Sequence, residues 1–216
     1  MSAAFDELLA AFETHAVERI RAILDGGFDV RAPVHGKMPV SYLVEMYLRS
    51  DAFPACLRLL LERGAVLGDP ALAPVLLDDA DTLRAAVRRD PSLLQHRTSL
   101  RCAFTPLVGA TLLHVAAEYG HLAVATALLE LGADPNARAD TDECGLNGHT
   151  ALFHTVNSNA NRSAPLMRLL LAAGARGRAG PYRPCRTCPT AIWGADAISP
   201  SAGVLLAVLA PCAGAG

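Results

Sequence analysis

Apolar residues along this chain fall in short paired bursts at helical spacing, and a glycine closes most of the bursts. The clearest pair begins at Thr111, where TLLHVAAEYGH runs into LAVATALLELGAD. The pattern predicts one helix from about Leu112 to Tyr119 and a second from about Leu122 to Leu131. In the second, Leu122, Ala125, Leu128 and Leu129 sit at i, i+3, i+6 and i+7, the spacing of one buried stripe. Thr111 is placed to cap the first helix, its hydroxyl accepting an otherwise orphaned backbone N–H. Gly120 and Gly132 end the two helices, where a left-handed residue is often required. Ala116 and Ala117 are small, so neighbouring helices can approach closely.

The same pattern returns downstream. TLLHVAA at Thr111, TALFHTV at Thr150 and TAIWGAD at Thr190 start 39 and 40 residues apart. Each is followed by a second apolar segment: LLELGAD from Leu128, LLLAAGA from Leu169 with Gly174 at its end, and VLLAVLA from Val204. Upstream copies of the second segment are AILDGGFDV at Ala22 and LLLERGAVL at Leu59, the latter preceded by GKMPVSYLVEMYL from Gly36. A compressed copy, ALAPVLLDDADTLRAAV, starts at Ala71, with Asp79 or Asp81 placed to cap its second helix. Self-similarity at this period is the signature of a solenoid, in which each unit buries its apolar face on its neighbours. The stretch 98–110, TSLRCAFTPLVGA, reads as an irregular connection.

These motifs resemble the ankyrin-repeat family. The resemblance rests on TLLH at 111–114, GH at 120–121, LLELGADPNA at 128–137, GHTALFHT at 148–155 and LLAAGA at 170–175. It is clear over 111–177, with weaker copies at 20–97 and 187–214. The resemblance implies an all-α ankyrin-repeat solenoid of stacked helix-turn-helix units with projecting fingers, about five to six repeats, some degenerate. Units are expected near 4–32, 36–67, 70–97, 111–140 and 148–177, with 178–216 an Arg/Pro/Cys loop plus a degenerate terminal repeat or tail. It also implies that His114 hydrogen-bonds Thr111 and nearby backbone and so braces the helix start, with His121 and Thr150 in like structural roles. The copies depart from the family pattern: Leu112 and Ala151 stand where proline is preferred, and Phe153 and Trp193 replace the motif histidine.

Composition narrows the class. Apolar residues make up 52% of the 216, enough for a sizeable core, while aromatics are only 5%. That balance suits small, closely packed helices over a β-sandwich. The net charge of -2 supplies no global attraction to nucleic acid or anionic lipid. The N-terminal stretch carries Asp6 and Glu7 and no basic region, so it does not read as a secretory signal. The apolar run Ala202 to Ala210 is shorter than the roughly 20 residues of a membrane span. Six cysteines are scattered without a framework, which fits free thiols in a reducing cytoplasm.

Candidate chemistry is sparse. His114 and Glu118 lie at i, i+4, but no third metal ligand is signalled. The finger DTDECGLNGHTA half matches a calcium loop, yet Cys144 and Ala151 stand where ligands are needed. Cys185 and Cys188 form one CxxC, half of a usual zinc set, with His149 or His154 as conceivable partners. Arg176, Arg178, Arg183 and Arg186 cluster near Tyr182, too short a run to define a nucleic-acid surface. No GxSxG elbow, GxxxxGK[ST] loop or GxGxxG turn occurs. The expectation is a monomeric, non-catalytic module, without cofactor or metal, binding an unknown partner protein on its concave face. The partner-contact candidates are Tyr119, Arg138, Asp140, Asp142, Glu143, Asn157 and Trp193, with Glu118 exposed beside the groove. The alternatives are a small zinc-binding or enzymatic protein using the irregular 176–216 end, and a regulatory or neutralising partner of a toxin or effector.

Overall fold

The computed structural model describes residues 3–102, 107–141, 148–156 and 162–176. It is mostly helical. The helices come in pairs whose members pack on each other: α1 (Ala3–Glu13) with α2 (Val17–Asp25), α3 (Pro39–Glu45) with α4 (Phe53–Glu62), α5 (Leu72–Leu76) with α6 (Ala80–Arg89), and α7 (Leu112–Tyr119) with α8 (Leu122–Glu130). The 3₁₀ turn Ala151–Thr155 then packs on α9 (Ala164–Ala172). The first members pack on one another, α1 on α3, α5 on α7, and α7 on the 3₁₀ turn. The second members do the same, α2 on α4, α6 on α8, and α8 on α9. The result is two layers with one continuous core, in which Leu8, Phe12, Ile20, Leu43, Phe53, Leu57, Leu60, Leu76 and Leu83 are fully buried. Among the described residues no helix is long and apolar enough to cross a membrane.

Local sequence explains the helix ends. Asp79 caps α6, its carboxylate accepting the Thr82 backbone N–H at 3.0 Å and the Thr82 hydroxyl at 2.8 Å. Gly120, with φ +73°, takes the left-handed turn after α7, and the His121 N–H bonds back to the Ala116 carbonyl at 2.9 Å. The Gly-Ala-Asp-x-Asn ending also stitches units together. Asn136 donates to the Gly174 carbonyl at 3.0 Å and accepts from the Arg176 N–H at 2.9 Å. The Asp78 carboxylate reaches the Val124 N–H at 2.9 Å, at the start of α8.

Three expectations are corrected. The connection 98–110 contains regular structure: β1 (Arg97–Leu100) pairs antiparallel with β2 (Leu107–Thr111), with a register shift between Thr98 and Leu100. The apolar content of LVGAT is what a strand edge buries, and the pattern was masked by its glycine. The buried face of α8 is Val124, Ala125, Ala127 and Leu128, whereas Leu122 is 41% exposed and Leu129 only partly buried. Because α8 is wedged between α6, α7 and α9, small residues supply the closest contacts and the leucines flank them. In the unit that begins at Thr150 the first helix is a 3₁₀ turn, ending at Thr155. Phe153 there has no ring nitrogen to brace the helix start as His114 does.

Candidate partner-binding surface

The projecting finger between α8 and the 3₁₀ turn is anchored through its backbone. Arg138 and Thr150 form an antiparallel bridge, the Ala139 N–H donates to the His149 carbonyl at 2.9 Å, and the Gly148 N–H to the Asp140 carbonyl at 3.1 Å. The Asp140 N–H then donates to the Val108 carbonyl at 2.8 Å, hooking this finger onto β2. Arg97 adds a clamp, donating to the carbonyls of Gly109, at 2.8 Å, and of Arg138. Gly109 makes the approach possible. Its φ is +53°, and a Cβ placed there would lie 2.0 Å from the Asp140 carboxylate. The side chains of Arg138 and Asp140 are exposed on this rigid support.

Of the other partner-contact candidates, Asp142, Glu143, Asn157 and Trp193 lie outside the described residues, as does the CxxC. Tyr119 is a correction. It is 6% exposed, its hydroxyl donates to the Val44 carbonyl at 2.5 Å, and its ring lies 4.2 Å from the Arg49 guanidinium and 4.8 Å from the tilted ring of Phe53. Burial holds the phenol protonated well above the ordinary tyrosine range. A side chain on the last turn of α7 reaches Val44 of α3 and Arg49 after it, so it is buried and braces the interior.

A polar network joins partners that are far apart in sequence. Glu118, expected on the surface, has a side chain only 13% exposed and bridges the Arg49 guanidinium and the His154 ring. One carboxylate oxygen takes Arg49 at 3.1 Å and the other meets His154 Nδ1 at 2.9 Å. Arg49 further donates to the carbonyls of Met46 and of Leu48, the latter at 3.1 Å. Such a buried set is favourable only while every charge keeps its counter-charge. The ion pair therefore ties the α3–α4 connection to α7 and to the 3₁₀ turn.

His114 has neither an open cleft nor a nucleophile to activate. Its Nδ1 accepts the Thr111 N–H at 3.2 Å and lies 2.8 Å from the Thr111 hydroxyl, while Nε2 lies 3.0 Å from the His149 carbonyl. Together with the Thr111 hydroxyl bonded to the third helical N–H, this is a capping box with histidine in the acidic residue's place. The bonding assigns the neutral Nε2–H tautomer. Burial, foremost, lowers the His114 pKa to about 4. His149 stacks on Phe153 with ring centroids 4.4 Å apart, and His154 stands edge-on to it at 4.7 Å. Among the described residues neither nitrogen of His149 has a hydrogen-bond partner, and burial pushes its pKa down to about 3. His121 Nδ1 donates to the Val75 carbonyl at 2.7 Å, tying the start of α8 to α5, and burial lowers its pKa too. Among the described residues no three His, Cys, Asp or Glu side chains converge as a metal-ligand set.

Helix pair, histidine-braced start, glycine ends and hooked finger together define a repeat unit of the ankyrin type. The ankyrin-repeat family model matches residues 108–140, so the chain carries an ankyrin repeat over β2, α7, α8 and the first half of the finger. No curated protein matches the chain. Ankyrin repeats are typically non-catalytic and mediate binding to other proteins.

Proposed function

We propose that the helix pairs stack as one ankyrin solenoid of five to six units, some degenerate, with boundaries near 4–32, 36–67, 70–97, 111–140 and 148–177. In this reading the array is a monomeric, cytoplasmic, non-catalytic module that binds a partner protein on the concave side built from fingers and first helices. The ankyrin match over 108–140 supports it, as does the layered packing of first on first and second on second helices. The observation that carries it is the finger itself: Arg138 and Asp140 are exposed on a backbone fixed on both sides, which spares a binding surface the cost of ordering on contact. Asp142, Glu143, Asn157 and Trp193 extend the same candidate surface.

The test compares affinity capture from the native cell by the natural chain and by the double variant Arg138→Glu, Asp140→Arg, read by mass spectrometry. Proteins retained by the first and lost by the second, with unchanged far-UV circular dichroism, are the expected outcome. Identical capture profiles with an intact fold would refute the placement of the binding surface on this finger.

A further inference from the structure

Three imidazoles from three elements meet at the root of the finger. His114 lies on α7, His149 on the return arm of the finger at 148–150, and His154 on the 3₁₀ turn. Ring centroids are 6.3 Å apart for His114 and His149, 5.9 Å for His114 and His154, and 4.7 Å for His149 and His154. All three residues are buried. The charges around them are nearly all of one sign. Glu118 on α7 meets His154 alone among the three, and it is shared with Arg49. Arg97 on β1 opposes a proton on His114, and Arg138 on the outgoing arm opposes one on His149. The Asp140 carboxylate lies against Gly109 of β2. Among the described residues no carboxylate bonds to His114 or His149. A proton arriving on His149 therefore finds two imidazoles, a guanidinium and the Phe153 ring around it, and no counter-charge of its own.

The backbone of the same residue is a junction. The His149 carbonyl takes the His114 Nε2–H at 3.0 Å and the Ala139 N–H at 2.9 Å. The first bond braces the start of α7 and the second closes the finger. The return arm is otherwise held to the outgoing arm by the Gly148 N–H on the Asp140 carbonyl and by the Arg138–Thr150 bridge. The three rings are not equally free to move. His114 is fixed through both nitrogens and His154 through Glu118. The His149 ring makes no hydrogen bond among the described residues, and its arm belongs to no helix. It is the ring that can leave while α7 and the 3₁₀ turn keep their own internal bonds.

We propose that His149 is an acid-sensitive latch of the finger: on taking up a proton its ring leaves the cluster, the 148–150 arm parts from Ala139, and the arm carrying Arg138 and Asp140 is left with only its hooks on β2 and Arg97, while the helix pairs stay folded. The event is local, distinct from loss of the whole fold. Its consequence is that a partner held through Arg138 and Asp140 is released on mild acidification and rebound on neutralisation. That consequence rests on the finger reading above, whereas the latch itself does not. The direction follows from linkage. Burial, with the neighbouring positive groups, lowers His149 to about 3 in the closed arm, against 6.5 for a freed ring. The open arm binds the proton first, so the closed arm is fully favoured above about pH 6.5 and loses ground as pH falls. Relative to neutral pH, opening should rise about tenfold by pH 5.5 and about thirtyfold by pH 5.0.

The test is amide hydrogen exchange of the full chain, resolved by residue, at pH 7.5, 6.5, 5.5 and 5.0 and corrected for the intrinsic pH dependence of exchange. The Ala139 and Gly148 amides, which donate across the two arms, report the latch. The Leu128 amide inside α8 reports opening of the helical core. The finger amides should follow the tenfold and thirtyfold rise and stay ahead of Leu128 throughout. His149→Phe keeps an aromatic ring against Phe153 and removes the proton site, so its finger amides should show no such rise. Finger amides that are flat from pH 7.5 to 5.0, or that open only in step with Leu128, overturn the proposal. Both outcomes are read on the natural chain, so they hold even where the variant fails to fold. A folded His149→Phe variant that keeps the natural response overturns it too, because the proton would then act at His114 or His154. A finger that answers to pH while capture ignores the Arg138→Glu, Asp140→Arg variant would support the latch and sink the binding role of the finger. A pH-flat finger with capture that the variant abolishes would sink the latch alone.

Discussion

Stability should fall steeply between pH 6.5 and pH 5, because the fold keeps buried histidines neutral. His114 titrates near 6.5 in an open chain and at about 4 in the fold, His149 at about 3 and His15 at about 4, each because burial removes the water that would stabilise its charge. His15 sits against Phe53 with its Nδ1 2.6 Å from the Ser50 hydroxyl, and all three rings are less than 10% exposed. A lowered folded-state pKa means that the unfolded chain binds the proton first. The full stability is therefore present above about pH 6.5 and is lost as pH falls toward 4. One pKa unit corresponds to about 1.4 kcal/mol, so His114 alone accounts for about 3 kcal/mol by pH 4. Near pH 5 these three rings are protonated in the unfolded state only, giving a slope of about 4 kcal/mol per pH unit, to which His121, also held low by burial, adds. Carboxylates held low, such as Asp69 and Asp79, act below this window, since their ordinary value is 3.8. Urea unfolding followed by far-UV circular dichroism at pH 7.5, 6.5, 5.5 and 5.0 reads the slope directly. His114→Asn should be less stable at pH 7.5 and should lose about a third of the slope. A urea midpoint that stays flat from pH 7.5 to 5.0, or a slope unchanged in His114→Asn, would refute the burial argument.

Leu128→Ala should cost about 2–5 kcal/mol in urea unfolding, as a fully buried leucine, and Leu129→Ala distinctly less; equal costs would contradict the assigned face of α8. Gly109→Ala should destabilise by about 2 kcal/mol or more, from a strained φ together with the collision with Asp140. Hydrogen exchange at Asp140 should accelerate in that variant, and protection equal to the natural chain would show that the two fingers are not hooked. Glu118→Gln should cost about 3 kcal/mol by leaving Arg49 buried without its counter-charge. The double variant Arg49→Met, Glu118→Leu should recover part of that loss, and a double variant no better than the single would mean that the pair is not coupled.

What could be read along the chain was what repeats locally. The helix pair at 111–131, its glycine ends and the Asp79 cap depend on residues within a few positions of one another, and spacing alone carries them. The errors share a cause. Large apolar residues were given the core of α8 when close packing favoured Val124, Ala125 and Ala127. β1 and β2 gave no clear period because the strands are short and their register shifts between Thr98 and Leu100. Tyr119 and Glu118 were placed on the surface as a polar-tipped aromatic and a charge ordinarily are. Their partners, Val44 and Arg49, lie 75 and 69 residues upstream, a distance no helical or repeat pattern encodes.

The position of that network bears on how the array works. In a stack where each unit touches only its neighbours, stability is close to a sum of local terms and units can open separately. Arg49, Glu118 and His154 break that locality, because one carboxylate joins the α3–α4 connection, α7 and the 3₁₀ turn. Tyr119 adds a second tie between α7 and α3 through Val44. Arg162 reaches back to the Arg49 carbonyl at 2.6 Å and to Asp51, so α9 is tied to the same connection. These ties join elements that lie on either side of the α5–α6 pair in the chain.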